Sequence, residues 1–507
     1  MARHISRRSF LALAAAGAGG LVLGRGALCR AQPSAVMAGP AVIRSSGGLL
    51  DLDLVAGATP GWLPQGPSWI LTYNGRSPGP RLEVRPGDAV RLRFRNTLEQ
   101  PSNLHYHGLH VSPGGSADNV FLSIPGGESF AYAFEIPADH PAGLFYYHPH
   151  RHGTVSDQVF GGLGGMLVVR GELDELPEVR AAREEFLFLK DFPAATEGST
   201  RGYGFSPMQR IWGRQGELLT VNGQIQPNLQ VSSGGLLRLR LVNASNARFY
   251  RLALEGHPFH LIATDGGAIP APIELQELLL APGERADVLV QGNRSPGRYR
   301  LQALPYDRLA GGMGMGRGGM DMGWRGGRGR GGMGRGEIGM GRPPGFLSQT
   351  ASVTLATVSY VGEGPPMPLP RQLIAVPALP EPTRTRSFSL SHAMGPGMGM
   401  AFLINNNVYE HARMDTTVRL NETEEWILLN SGMMDHPFHV HVNPFQVISR
   451  NGQPEPIRAW KDTVVVRPGE EVRIRTVFRN FPGRTVYHCH ILDHEELGMM
   501  GTLEISA

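Results

Sequence analysis

The sequence predicts an all-β protein made of three copies of one sandwich or barrel unit, and three observations carry that prediction. Gly and Pro are abundant, 68 and 40 of 507 residues, which favours many turns over long helices. Short segments alternate apolar and charged residues at the two-residue period of a half-buried strand. The same motifs return along a chain too long for one ordinary domain.

The N-terminus is set aside before the fold is read. Ser6-Arg7-Arg8-Ser9-Phe10-Leu11 precedes an apolar, Ala/Gly-rich run from Leu11 to Leu23. It looks like a twin-arginine export signal spanning residues 1–31 and cleaved near Ala31. A membrane anchor is the alternative, but the run is short for a span. Cys29 follows Leu28 and so lacks the small residue that a lipoprotein site wants. No later segment has the length and apolarity of a span, so a soluble periplasmic monomer without stable membrane insertion is expected. Removing five arginines with the signal leaves 43 basic against 44 acidic residues, a net charge of −1. Nothing then argues for a nucleic-acid partner. Cys489 becomes the one cysteine, so no intramolecular disulfide is available.

The repeats follow in order. Asn74-Gly75-Arg76-Ser77-Pro78-Gly79-Pro80 leads through Leu82-Glu83-Val84 to Val90-Arg91-Leu92-Arg93-Phe94-Arg95-Asn96. Val221-Asn222-Gly223-Gln224 leads likewise to Leu236-Leu237-Arg238-Leu239-Arg240-Leu241-Val242-Asn243, and Ile404-Asn405-Asn406-Asn407 leads to Glu425-Trp426-Ile427-Leu428-Leu429-Asn430. Ala281-Pro282-Gly283-Glu284-Arg285 matches Arg467-Pro468-Gly469-Glu470-Glu471, and His257-Pro258-Phe259-His260 matches His436-Pro437-Phe438-His439. The boundaries expected are 42–172, 180–362 and 375–507. The middle copy keeps only His257 and His260 and reads as a structural spacer. It holds one anomaly, a Met/Gly/Arg-rich insertion at 311–345 with six methionines. That stretch cannot bury enough to order itself. It reads either as a tether or, since thioether sulfur suits Cu(I), as a copper-capture arm.

The chemistry lies in four histidine bunches: His105-Tyr106-His107-Gly108-Leu109-His110, His148-Pro149-His150-Arg151-His152, His436-Pro437-Phe438-His439-Val440-His441 and His488-Cys489-His490-Ile491-Leu492-Asp493-His494. Two histidines one residue apart on a strand project from one face, about 6.6–7 Å apart along the backbone. They can grip one metal or two neighbouring ones. In His488-Cys489-His490 the cysteine points the opposite way, so one strand touches two sites. Cys489, His436 and His494, with Met499 ten residues past the cysteine, supply one thiolate, two imidazoles and a weak thioether. That set suits a blue-copper electron-transfer site. Four such bunches exceed what one zinc site would use.

On these motifs the chain resembles the three-domain multicopper oxidases, the family of laccases, ascorbate oxidases and copper-efflux oxidases. All four copper motifs are present in order, and the resemblance covers nearly the whole mature chain. It implies three cupredoxin-like Greek-key domains and four copper ions: one type 1 ion in the third domain, and one type 2 with two type 3 ions between the first and third. By motif, the type 1 ligands are His436, Cys489, His494 and Met499. The type 2 ion takes His105 and His439. One type 3 ion takes His107, His148 and His490, and the other His150, His441 and His488. His110, His140, His152, His257, His260, His392 and His411 have no ligand role, His152 being the one expected to stand behind the ligands.

The resemblance further implies that electrons enter singly at the type 1 ion, pass through Cys489, and reduce O2 to water. Two waters need four protons, so acids belong near the cluster. Glu495 and Asp118 occupy the family's places for them. Met499 argues for a lower-potential site than an apolar residue would give, which favours easily oxidised phenols and aromatic amines, or Cu(I). Met434 matches a methionine that helps bind Cu(I) in copper-efflux oxidases, and Asp435 stands beside it, but Gly432 replaces their acid. The stretch bearing Met394, Met398 and Met400 is brief beside their Met-rich helix. The reading taken forward is a laccase-like oxidase, with a mainly cuprous oxidase as the alternative. A copper-free scaffold of the cell envelope is a third reading, from another class.

Overall fold

The computed structural model describes residues 40–66, 68–194, 207–308, 349, 351–394 and 399–507. The expected export signal, the Met-rich insertion and Met398 lie outside the described residues. Val36–Ala507 is one compact unit. Its strands form six sheets in three pairs, and among the described residues no strand ladder joins one pair to the next. The protein is all-β and built of paired sheets, as the repeats predict, in keeping with the cupredoxin-like domains that the resemblance implies.

The first pair takes its strands from residues 42–169. A five-stranded sheet runs Val42–Arg44, Arg81–Val84, Gly165–Val169, Gly143–His148, His105–His107, and a four-stranded sheet packs on it. Ala89–Asn96 in the latter alternates buried and exposed positions, and Val90, Leu92 and Phe94 enter the core. The second pair draws on residues 183–363 and the third on 384–506, each as a six-stranded sheet on a five-stranded one.

Leu236–Asn243 departs from the half-buried strand its alternation predicts, because all eight residues are buried. Its arginines are covered by an ion-pair network. Arg238 donates to both oxygens of Asp287 and to Asp174, and Arg240 lies near Glu184. A charge paired in this way can be buried where an unpaired one could not. Alternation therefore marked the strand correctly and misread its outer face.

The middle repeat packs on both neighbours. Phe186, Phe188, Val242 and Ala244 share a core cluster with Leu144, Tyr146, Met166 and Val168 of the first. Trp212, Ala247, Phe249 and Ala281 join the main core of the third. At roughly 1.5–3 kcal/mol for each large side chain buried, these contacts are strong enough to hold the outer repeats in fixed relation. Among the described residues no helix is long and apolar enough to cross a membrane.

Candidate metal centre

Two strand ladders build the site. His105–His107 pairs antiparallel with Gly143–His148, setting His105 opposite His148. His436–Val440 pairs antiparallel with Gly483–Cys489, setting Phe438 opposite Cys489 and His439 opposite His488. The first ladder belongs to the first repeat and the second to the third. Their histidine faces meet. His107 stacks on His439 at 3.8 Å between ring centroids and His105 on His441 at 4.0 Å.

The thiol site lies within the third repeat. Cys489 Sγ is 3.5 Å from His436 Nδ1 and 3.8 Å from His494 Nδ1, and the two nitrogens are 3.4 Å apart. First-row metal bonds of about 2.0–2.3 Å give a trigonal ligand set edges of about 3.5–4 Å, so these three atoms can share one ion. Met499 is fully buried in the same cluster, its carbonyl accepting from Cys489 N–H. His494 stacks on Phe402, and its Nε2 donates to the Ile211 carbonyl, which leaves Nδ1 as the free lone pair. Burial pushes the Cys489 thiol well above its ordinary value, so a metal ion there must displace a proton.

Eight imidazoles form the second site. His150, His441 and His488 converge, with His488 Nε2 at 3.1 Å from His150 Nε2 and 3.0 Å from His441 Nε2. His105 groups with His107 and His148, and also with His439 and His441, ligand atoms lying within 4.8 Å of one another in each trio. His490 lies at 4.8 Å from the His107 ring and 5.6 Å from that of His148.

The free nitrogens fit a metal. Buried His105 Nε2, His107 Nδ1, His148 Nε2, His439 Nε2 and His490 Nδ1 have no hydrogen-bond partner among the described residues. In each of these rings the other nitrogen is tied down: His105 to Asp118, His107 to Asp462, His148 to the Pro149 carbonyl, His439 to the Asp462 carbonyl and His490 to the Tyr146 hydroxyl. Buried polar atoms are rarely left unpaired, and fixing one imidazole nitrogen aims the other at a metal. Burial, then mutual repulsion, holds most of these imidazoles below their ordinary pKa; that of His148 falls to about 3. That shift favours the neutral imidazole, the form that binds metal.

Two buried acids lie against these rings. Glu495 is fully buried, with Oε2 at 3.2 Å from His488 Nδ1 and Oε1 at 3.8 Å from His150 Nε2. Burial first, and the neighbouring Glu496 second, push it well above the usual carboxylate range. Asp118 accepts from His105 Nδ1 at 2.9 Å and from Tyr106 N–H at 2.9 Å, and burial raises it to about 8. It therefore orients His105 as well as being able to hold a proton.

On the outer side of the thiol site Met434 is buried and Met433 is 51% exposed. Asp435 is buried and accepts from the Tyr306 hydroxyl at 2.6 Å. Of the remaining histidines, His257 bridges the Glu255 carbonyl and the Tyr360 hydroxyl, and His110 is tied to the Val442 carbonyl. His152 packs on Tyr409, 3.8 Å from Glu496. Sequence reasoning missed Asp462, Tyr146 and the role of Arg285. Asp462 lies in no histidine bunch, and only contact across repeats reveals it.

Two buried sites joined by one strand, one thiolate-centred and one of imidazoles, define a class of redox metalloprotein on a triple β-sandwich. Three multicopper oxidase family profiles match the chain, at residues 59–174, 200–314 and 379–507. The multicopper oxidase mco of Staphylococcus epidermidis is 27% identical over 444 residues, 86% of this chain and 84% of that one. The cell division protein FtsP of Yersinia pestis is 30% identical over 482 residues, 91% of this chain and 90% of that one. Among solved structures, a multicopper oxidase from Campylobacter jejuni described as a metallo-oxidase superposes with a TM-score of 0.75 at 30% identity, covering 94% of this chain and 96% of that one. A laccase from Pediococcus acidilactici gives 0.74 at 25% identity over 94% and 95%. The chain belongs to the three-domain multicopper oxidase family.

Proposed function

We propose that this protein is a working copper oxidase of the cell envelope, taking electrons one at a time from small reduced substrates and delivering them to dioxygen. One observation carries the reading. Consecutive residues of one strand serve both sites, Cys489 turning to His436 and His494 while His488 turns to His150 and His441. The covalent path between the sites is thus as short as a chain allows. Copper at the two sites, four ions in all, would supply one-electron redox chemistry at the thiolate and dioxygen reduction among the imidazoles.

The protein's own residues do the rest. Cys489 gives up its proton and becomes the conducting thiolate. Glu495 holds a proton at Oε2 beside His488, ready for transfer to reduced oxygen, and the Asp118 carboxylate keeps His105 aimed. We assign the type 1, 2 and 3 ligand sets by the family motif, and the domains to 42–172, 180–362 and 375–507. The Arg7-Arg8 signal supports export to the periplasm.

Phenols and aromatic amines are the substrates we favour. His436 Nε2 is buried and unpaired among the described residues, and it lies against Gly432, where a side chain in place of the glycine would crowd it together with Asn430 Oδ1 and His392 Nδ1. A mainly cuprous role is the second reading, favoured by the exposed thioethers of Met433, next to Gly432 in the chain, and Met394, two residues past His392. The third reading is a copper-free scaffold of the cell envelope, and the relative named as a cell division protein is the reason to test it.

Copper loading decides between oxidase and scaffold. The loaded protein is expected to turn intensely blue and to bind four coppers; a colourless protein with fewer than two would revive the scaffold. Turnover of a dimethoxyphenol against Cu(I), with and without residues 311–345, ranks the substrates. Faster phenol turnover in both forms supports the first reading. Cuprous turnover that dominates and collapses on deletion supports the second.

A further inference from the structure

The middle repeat lends no histidine to the cluster, yet its Pro282-Gly283-Glu284-Arg285 turn forms part of the cluster wall. Gly283 has φ +86°, and a Cβ there would lie 2.9 Å from His490 Cγ and 3.1 Å from His107 Cε1. Backbone of the middle repeat therefore touches both rings. Two residues on, Arg285 is fully buried. Its Nη1 and Nη2 donate to the two oxygens of Asp462 at 2.7 and 2.5 Å. Its Nε donates to the Leu144 carbonyl at 3.1 Å, in the strand that ends at His148. Asp462 then meets His107 Nε2 through Oδ1 at 3.0 Å and His439 Nδ1 through its backbone carbonyl at 2.8 Å. One guanidinium is tied to all three repeats.

We infer that Arg285 is a positioning residue of the imidazole cluster: its fork fixes the plane of Asp462, and Asp462 fixes the rotation and tautomer of one imidazole from each outer repeat. This rests on the copper reading above. An imidazole left to itself can turn over about its Cβ–Cγ bond and present the wrong nitrogen. Here His107 Nε2 and His439 Nδ1 are held, so His107 Nδ1 and His439 Nε2 point inward. Because the two rings stack at 11°, a turn of either disturbs both. Charge alone would not do this. A lysine could neutralise Asp462 but could not hold its plane with two parallel donors. Space is tight as well, since a Cβ on Gly108 would strike both Arg285 Nη2 and Asp462 Oδ2. The middle repeat is a clamp across the outer two, not a spacer.

Arg285→Lys tests this against Arg386→Lys, which makes the same change at a partly buried, two-donor ion pair with Glu424 in the third repeat. Each protein is loaded with copper and assayed for bound metal, the thiolate absorption band, the type 2 electron paramagnetic resonance signal and thermal unfolding. Arg285→Lys is expected to keep the full thiolate band, to hold cluster copper about 10–100-fold more weakly, and to show an altered type 2 signal. Arg386→Lys should lower thermal stability alone. Wild-type copper content and signal in Arg285→Lys would overturn the inference. So would an equal spectral change in Arg386→Lys, which would make the role merely structural. Should Arg285→Lys not accumulate, Asp462→Asn, which keeps the volume and the backbone contact to His439, is judged by the same criteria. Wild-type protein that binds no copper would sink the copper reading and this inference together, an outcome distinct from a failure of Arg285 alone.

Discussion

The two sites are built on opposite principles. Every residue of the thiol site comes from the third repeat, within 64 positions from His436 to Met499, on one ladder and the turn that follows it. The imidazole site takes four rings from the first repeat and four from the third, more than 280 residues apart in the chain. A site whose ligands all lie in one folding unit depends mainly on that unit, with Ile211 of the middle repeat only steadying His494 from outside. A site between units needs their separation and rotation to be right, and a buried network spends ion pairs on fixing them. The difference teaches where each is vulnerable: the first to loss of a ligand, the second to loss of register between repeats.

Removing the thiolate that sits between the two sites on one strand should have the largest effect. Cys489→Ser replaces a soft thiolate with a hard hydroxyl and should abolish the blue band and cut turnover by about a thousandfold or more. The imidazole site lies on the other face of the strand and should still bind its copper. Metal analysis showing the cluster emptied as well would break the comparison, since the two sites would then be one cooperative unit. Glu495→Gln should come next. It keeps the shape beside His488 and His150 but cannot give up a proton, so dioxygen turnover should fall about a hundredfold. Anaerobic reduction of the thiol site by substrate should proceed at the wild-type rate, measured by stopped-flow bleaching of the blue band. Slowed bleaching would place Glu495 on the electron side instead.

The local site was the legible one. Cys489, His494 and Met499 could be read together because they fall on the end of one strand and the turn after it, whereas His436 lies 53 residues earlier on the neighbouring strand. The paired histidines were legible as pairs, since alternation on a strand puts both on one face. Which pair faces which came only through the family pattern. The sharing of His105 between two trios, and the distance of His490 from both, follow from side-chain rotation that no spacing encodes. Asp462 was illegible because its partners lie 177 and 355 residues away. The buried face of Leu236–Asn243 was misread for a related reason: an arginine beside its carboxylates is spelled like one in water.

The smallest effect concerns the seam between first and middle repeats, and it separates the two sites by pH. Glu184 of the middle repeat accepts from Arg170 of the first at 2.7 Å, and Arg170 also meets Glu83. Burial raises the Glu184 pKa, but Arg170, Arg240 and Arg238 outweigh it and hold the group at about 2, against 4.5 unperturbed. A carboxylate depressed in this way lends stability that is whole above pH 4.5 and is lost as pH falls toward 2. The amount is at most about 3 kcal/mol. Glu184→Gln removes that contribution at every pH. Copper-free Glu184→Gln should therefore unfold a few degrees below wild type at pH 7, with the gap narrowing below pH 4.5. A gap that stays constant from pH 7 to pH 3 would show that the lost contact is not electrostatic. At neutral pH the loosened seam should also weaken copper retention at the imidazole site while leaving the blue band intact, because only the former draws its ligands from the first repeat.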